Sequence, residues 1–110
     1  MDISFINHKM QKTFNSEKEL KKVYGKLDRY IRRRMTVLRA VHSLSDVPIR
    51  LPERRHELAG DKKGNFAVDL VKNYRLVFKP NNDPLPISQD GGLDLKRITA
   101  ITIVEVEDYH

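Results

Sequence analysis

The sequence predicts a protein of the α+β class, in which one long basic helix packs on one face of a sheet. Two observations support this fold class. Apolar residues recur every three or four positions from Glu17 to about His42, which is the spacing of a single amphipathic helix. The last thirteen residues begin Ile-Thr-Ala-Ile-Thr-Ile-Val-Glu-Val, the most β-prone run in the chain, and such a run is typical of an interior strand.

The size and composition of the chain indicate one soluble domain spanning residues 1–110. A chain of 110 residues and 12.9 kDa buries roughly 65% of its unfolded surface on folding, which is enough for a single core. No apolar run approaches the roughly 18–20 residues of a membrane span, and no signal-peptide pattern opens the chain. We therefore expect a cytoplasmic protein with no membrane partner.

The residues that usually bind metals are sparse in this sequence. The chain has no cysteine, which excludes disulfides and cysteine-ligated zinc. Its four histidines are scattered without metal-ligand spacing. We predict neither a metal nor another cofactor.

The N-terminal part of the chain predicts a strand followed by two helices. Residues 2–6 alternate polar and apolar side chains, as a half-buried strand does, and residues 8–14 predict a short helix. Ser16 followed by Glu19 forms a capping-box signature, so the long helix is expected to begin there. Gly25 weakens this helix by roughly 1 kcal/mol and marks a bend or a close approach.

The long helix also carries the excess positive charge of the chain. It holds nine basic residues against three acidic ones, so the difference of six equals the net charge of +6. A basic face of this kind can follow phosphates or bind an acidic protein, but a solvated helix face explains it almost as well. The basic residues are Lys18, Lys21, Lys22, Lys26, Arg29, Arg32, Arg33, Arg34 and Arg39.

After a connector that ends near Pro52, residues 54–58, 65–70 and 74–79 predict three short strands. A three-residue loop between the last two pairs residue 70 with 74, 68 with 76 and 66 with 78, and places their apolar side chains on one core. Asn73 suits the left-handed position of that loop. Asp69 and Arg75 then become cross-strand neighbours on the opposite face, away from the helix.

The final strand, which follows a long irregular connection over residues 80–97, changes the parity of its apolar side chains. Ile101 and Ile103 share one parity, whereas Val104 and Val106 share the other. Either the strand is buried on both faces, or a bulge shifts its phase near 103–104. If Val104 and Val106 face the core, the two glutamates that follow them face the other way.

The sheet face away from the helix is predicted to gather polar side chains from three places. Two histidines can supply a general base and a general acid, and lysine or arginine can stabilise a pentacovalent phosphorane without a metal. Tyrosine can orient a hydroxyl or stack on a base. This combination fits cleavage of RNA by the substrate's own 2′-hydroxyl, which DNA lacks. The three groups are His56 with the Lys62-Lys63 loop, Arg75, and the chain end Asp108, Tyr109 and His110.

Each of these groups also has an ordinary structural explanation. A histidine in a strand is commonly a hydrogen-bonded bystander, and lysines are common in loops. Asp69 and Arg75 can form a surface ion pair that contributes ~0–1 kcal/mol, and a chain end is often a frayed tail. The residues alone therefore leave open a ribonuclease and a general nucleic-acid- or protein-binding module.

Three stretches of the chain resemble the HigB-type killer toxins of the RelE/ParE toxin–antitoxin superfamily. They are His56-Glu-Leu-Ala-Gly-Asp-Lys-Lys-Gly, Asn73-Tyr-Arg-Leu-Val-Phe and the terminal Glu107-Asp-Tyr-His. The resemblance implies a RelE-like fold, with helices on one face of a mostly antiparallel sheet. It also implies a ribosome-dependent endoribonuclease, an mRNA interferase that cuts mRNA in the ribosomal A site. Its expected partners are the ribosome with its mRNA and a cognate HigA-type helix-turn-helix antitoxin. Operator DNA is expected to be bound only through the complex with this antitoxin.

The resemblance also implies roles for individual residues. His56 matches the catalytic histidine of these toxins, Arg75 matches an arginine that contacts phosphate, and Phe66 stands where tryptophan is usual. A non-catalytic, ParE-like inhibitor and a nucleic-acid-binding module remain the alternatives. The remaining matches are Asp108, Tyr109 and His110 for the catalytic chain end, and Lys62 and Lys63 for the basic loop that meets RNA.

Overall fold

The computed structural model describes residues 1–109, which form five strands and three α-helices joined by short 3-10 turns. We number these strands and helices in chain order. They are β1 (Asp2–Phe5), α1 (His8–Phe14), α2 (Glu17–Tyr24), α3 (Asp28–Ala40), β2 (His56–Glu57), β3 (Phe66–Asp69), β4 (Tyr74–Pro80) and β5 (Ala100–Asp108).

The strands form one sheet in the order β1-β5-β4-β3-β2. β1 runs parallel to β5, and the other three pairs are antiparallel. β5 therefore lies between two neighbours, which confirms the interior strand expected from its Ile, Val and Thr content. The predicted α+β class, with helices on one face of a mostly antiparallel sheet, is confirmed.

The two helix starts follow from local side-chain hydrogen bonds. The side chain of Asn7 accepts a hydrogen bond of 2.8 Å from the amide of Met10, and so caps α1. Ser16 accepts one of 3.2 Å from the amide of Glu19, which caps α2 as its sequence predicts. Over residues 1–109, no helix has both the length and the apolar character needed to cross a membrane.

The long basic helical segment is confirmed from Glu17 to Ala40, but Gly25 divides it into two helices that fold back on each other. Arg32 on α3 lies 3.7 Å from the carboxylate of Glu17 at the start of α2. In one straight helix these residues would stand about 22 Å apart. Gly25 makes the reversal possible, because its φ of 57° and ψ of −125° belong to a region that only glycine adopts freely.

The main core lies between the helices and one face of the sheet. The helices contribute buried side chains such as Ile31 and Leu38. The sheet contributes Phe66 and Phe78, whose rings stack with centroids 6.3 Å apart. Leu76 is also buried here, whereas its neighbour Val77 faces the other way. We call the sheet surface opposite the helices the open face.

The predicted register of the β3–β4 hairpin is confirmed, but its left-handed residue is not Asn73. Phe66 pairs with Phe78 and Asp69 with Arg75, as expected. Lys72 has the positive φ, 55°. The amide of Tyr74 bonds to the carbonyl of Val71, so a tight turn closes around Lys72 and Asn73, with the left-handed conformation at its first central position.

Of the two explanations offered for the change of parity in β5, the structure shows the bulge, which lies at Val104. Phe78 pairs with Ile103, whereas its neighbour Val77 pairs with Glu105, so Val104 is the extra residue. The extra residue restores the phase, and both Ile103 and Val106 therefore contact the main core. The expectation that Val104 also faces that core is wrong, because it packs against Val77 on the open face.

Arg34 does not belong to the solvated basic face to which its sequence position assigned it. Its side chain is buried, with 5% of its surface exposed. The guanidinium donates hydrogen bonds to the carbonyls of Asp69, at 2.6 Å, and Leu70, at 3.4 Å. It therefore joins α3 to the end of β3 and is unavailable to a polyanion.

Candidate functional site

Strand register gathers the predicted site residues into two neighbouring rows on the open face. Residues directly opposite each other on paired strands project from the same face. His56 pairs with Ala67, which pairs with Val77 and then Glu105, and these form one row. In the next row, Asp69 pairs with Arg75, and Arg75 pairs with Glu107.

His56 is held in one tautomer by its own loop. Its Nδ1 lies 2.8 Å from the carbonyl oxygen of Arg54. Because a carbonyl only accepts hydrogen bonds, Nδ1 carries the proton, and Nε2 has a free lone pair when the ring is neutral. The side chain is half-buried. This arrangement leaves Nε2 able to act as a general base.

Arg75 is fixed between a carboxylate and an aromatic ring. Its Nε and Nη2 lie 2.7 Å and 2.5 Å from one carboxylate oxygen of Glu107. The side chains of this pair are 16% and 13% exposed, so the pair is largely shielded from water. The guanidinium carbon lies 4.4 Å from the ring centroid of Tyr109, in a cation–π contact. The amide of Tyr109 donates to the carbonyl of Asn73, which fixes this tyrosine at the edge of the sheet.

Lys62 reaches across the open face from the loop between β2 and β3. Its Nζ forms ion pairs with Glu107 and, at 3.9 Å, with Glu105, both on β5. The loop therefore crosses β3 and β4, which explains why Ala67 and Val77 are fully buried on this side. Lys63, by contrast, is exposed, and no ion pair joins it to another residue among 1–109.

Arg54 is a member of the site that the sequence did not predict. Its Nε and Nη2 lie 2.6 Å and 2.9 Å from the two carboxylate oxygens of Asp69, a bidentate pair. These bonds to Asp69, with a smaller contribution from Tyr109, raise the pKa of the Arg54 guanidinium. Arg54 shares the parity of His56 two residues later, and this was the only sequence signal that could have placed it here.

The surface ion pair that Asp69 and Arg75 could have formed is absent among the described residues, and each side chain has another partner. The two residues are cross-strand neighbours, as predicted, but Asp69 binds Arg54 and Arg75 binds Glu107. Glu107 was also missed as a site residue, although the register with Arg75 could have identified it. The connector before β2 determines the partner of Asp69, because it brings Arg54 to the end of β3.

These ion pairs make the site electrically balanced. Three cations, Arg54, Lys62 and Arg75, face three carboxylates. We call these six residues, which include Asp69, Glu105 and Glu107, the open-face cluster. The cluster holds its cations in defined positions, but it has no net positive charge.

Asp108, another predicted site residue, lies on the sheet face opposite to the open-face cluster. Asp108 pairs with Tyr74, so it shares the parity of Val106 and lies on the helix side of the sheet. The expectation that the final strand delivers Asp108 beside His56 is therefore wrong, because side chains alternate between the two faces of a strand. His110 lies outside the described residues.

The described residues offer groups for proton transfer and charge stabilisation. Within residues 1–109, no three histidine, aspartate or glutamate side chains come together as metal ligands. His56 places a half-buried imidazole on the open face, and Lys62 and Arg75 place fixed cations on the same face. Arg75 lies two strands from His56, about 10 Å across the sheet.

Comparison with known proteins does not assign this chain to a family. No protein-family model matches the sequence, and no curated protein matches it.

Proposed function

We propose that this protein is a ribosome-dependent mRNA endoribonuclease, the toxin of a type II toxin–antitoxin system that acts in the cytoplasm. A cognate HigA-type helix-turn-helix antitoxin would neutralise it, in keeping with the resemblance to HigB-type toxins. The observation that supports this proposal most is the position of His56, whose tautomer is fixed by the Arg54 carbonyl beside an array of immobilised cations.

The proposed reaction is cleavage of RNA by its own 2′-hydroxyl. Nε2 of His56 takes the proton of that hydroxyl, and the 2′-oxygen attacks the neighbouring phosphorus. The bond from phosphorus to the 5′-oxygen breaks, leaving a 2′,3′-cyclic phosphate and a 5′-hydroxyl. The leaving oxygen takes a proton from a group at the chain end, where the resemblance implies Tyr109 or His110.

The fixed cations support the charge that develops at phosphorus. Arg75 is held by Glu107 and by the ring of Tyr109, and Lys62 is held by the same carboxylate. Charges that are already oriented stabilise a transition state without reorganising during the reaction. Arg75 and Lys62 would therefore contact the oxygens of the phosphorane.

The balanced charge of the open-face cluster supports the dependence on the ribosome. Affinity for free RNA comes mainly from unpaired cations that replace counterions on phosphates. The three cations of the cluster already have carboxylate partners. The cluster should therefore bind free RNA weakly, and a ribosome that presents the mRNA would supply the missing affinity.

Induction of the protein in bacteria tests the proposal, and His56→Gln is the test variant. The matched control is His42→Gln, because His42 is exposed and lies outside the open-face cluster. We expect the wild type and the control to arrest growth and to cut mRNAs at sites mapped by primer extension. Loss of the general base should reduce cutting by about 10²–10⁴-fold.

Two outcomes would contradict the proposal. Equal cutting by His56→Gln and the wild type would remove His56 from the reaction. Growth arrest with DNA-damage signalling and intact mRNA would favour the ParE-like inhibitor.

A further inference from the structure

A groove lies on the helix side of the sheet, between the α2–α3 turn and the β3–β4 turn. Its volume is about 950 Å³, at the upper end of the range for ligand sites. We call it the hairpin groove. Its basic and aromatic lining residues are Lys21, Tyr24, Lys26, Arg29, Tyr30, Lys72 and Tyr74.

The cations of the hairpin groove differ from those of the open-face cluster because they have no carboxylate partners. No ion pair within residues 1–109 involves Lys21, Lys26 or Lys72, and all three are exposed. The one acidic residue of the lining, Asp28, is buried and paired with Arg32 at 3.2 Å. The groove is therefore strongly positive, and its charge is available to a ligand.

Three of the four tyrosines in the chain line this groove. Tyr24, Tyr30 and Tyr74 are each half-buried, with part of the side chain accessible. The guanidinium of Arg29 lies 5.1 Å from the ring centroid of Tyr30, which adds a second flat, cationic surface. Aromatic rings and arginine planes are the surfaces on which unpaired bases stack.

The groove and the open-face cluster meet at the β3–β4 turn. Lys72 and Tyr74 line the groove, and Asn73 between them accepts the hydrogen bond from the amide of Tyr109. Tyr109 in turn contacts Arg75 on the open face. The β3–β4 turn therefore borders both surfaces.

We propose that the hairpin groove binds single-stranded RNA, specifically the segment that flanks the cleavage site. This inference rests on the proposed function for its choice of RNA as the ligand. Two surfaces then have different roles. Unpaired cations and tyrosines in the hairpin groove bind the RNA, and the open-face cluster takes part in its cleavage.

Binding of a single-stranded oligothymidylate of about ten nucleotides tests the inference without cleavage, because DNA has no 2′-hydroxyl. The chain contains no tryptophan, and three of its four tyrosines line the groove, so quenching of tyrosine fluorescence reports binding and the groove variant assigns it to the groove. The test variant is Lys21→Gln/Lys26→Gln/Lys72→Gln. The matched control is Lys9→Gln/Lys12→Gln/Lys18→Gln, which removes the same charge from exposed lysines outside the groove.

We expect salt-sensitive quenching in the wild type, at least tenfold weaker binding in the groove variant, and less than a threefold change in the control. The slope of log K against log salt should fall by about 2, because each lost phosphate contact removes about 0.7. Equal weakening in both variants, or the absence of quenching in the wild type, would overturn the inference. Displacement of the oligonucleotide by an equal concentration of polyglutamate would also overturn it, in favour of an acidic protein ligand.

The groove and the proposed reaction can fail separately. If His56→Gln still cuts mRNA while the groove variants behave as expected, the proposed mechanism is wrong and the binding site stands. If His56→Gln abolishes cutting while the groove variants bind normally, the groove inference is wrong and the mechanism stands.

Discussion

Among single residues, Glu107 organises the open face more than any residue that the sequence singled out. It accepts from Arg75 and pairs with Lys62, which come from two different segments. Its parity on β5 could be predicted from Tyr109 and the bulge, since strand side chains alternate. Its partners could not be predicted, because they depend on the path of the loop that carries Lys62.

Replacing Glu107 by Gln should lower stability and raise RNA affinity at the same time. Removal of one carboxylate leaves two largely shielded cations without full compensation, at a cost of about 1–3 kcal/mol. The open-face cluster would then carry one net positive charge, which favours phosphate. We expect Tm to fall by at least about 5 °C, and oligothymidylate to bind more tightly.

Glu57→Gln is the matched control for this substitution. It makes the same change in net charge at an exposed site on β2 that forms no ion pair within residues 1–109. A Tm for Glu107→Gln equal to that of the control would show that the ion pairs of Glu107 do not stabilise the fold.

Among the helices and strands, the sequence predicted those defined by a local period and failed where the chain reverses. The bulge at Val104 was predictable because a change of apolar parity is visible in the sequence. Gly25 indicated a bend or a close approach, but the full reversal was not predictable, because the apolar spacing continues from Leu20 to Ile31. Both helices present this stripe to the same core, and periodicity cannot distinguish a hairpin from a straight helix.

The substitution Gly25→Ala distinguishes a straight helix from a helical hairpin, because it should change the stability of the protein in opposite directions in the two cases. In a straight helix, alanine would stabilise the protein by roughly 1 kcal/mol relative to glycine. At the observed φ of 57° and ψ of −125°, alanine should instead destabilise it by about 1–3 kcal/mol. Urea unfolding measures the difference, with Thr36→Ala on the exposed side of α3 as a control. An increase in stability for Gly25→Ala would contradict the helical hairpin.

In the whole molecule, the net charge of +6 is distributed unevenly over the two sides of the sheet. The cations of the open-face cluster are matched by carboxylates, whereas those of the hairpin groove are unpaired. The basic composition favoured a polyanionic ligand, with a solvated surface as the alternative, but it could not place a binding site, because ion pairing is decided by tertiary contacts. The same limit applies to the site: His56, Arg75 and Tyr109 were predictable, but Arg54 and the diversion of Asp108 to the other face were not.

In the proposed reaction, the attacking group is a substrate 2′-hydroxyl whose proton His56 removes. The most direct test is cleavage of mRNA on purified translating ribosomes, with a matched mRNA that carries a single 2′-deoxynucleotide at the mapped scissile position. We predict cutting of the all-RNA substrate, with a 5′-hydroxyl on the downstream fragment, and no cutting of the deoxy-substituted one at that position. Equal cutting of both substrates would contradict the account, because the attacking group would then not be the 2′-hydroxyl.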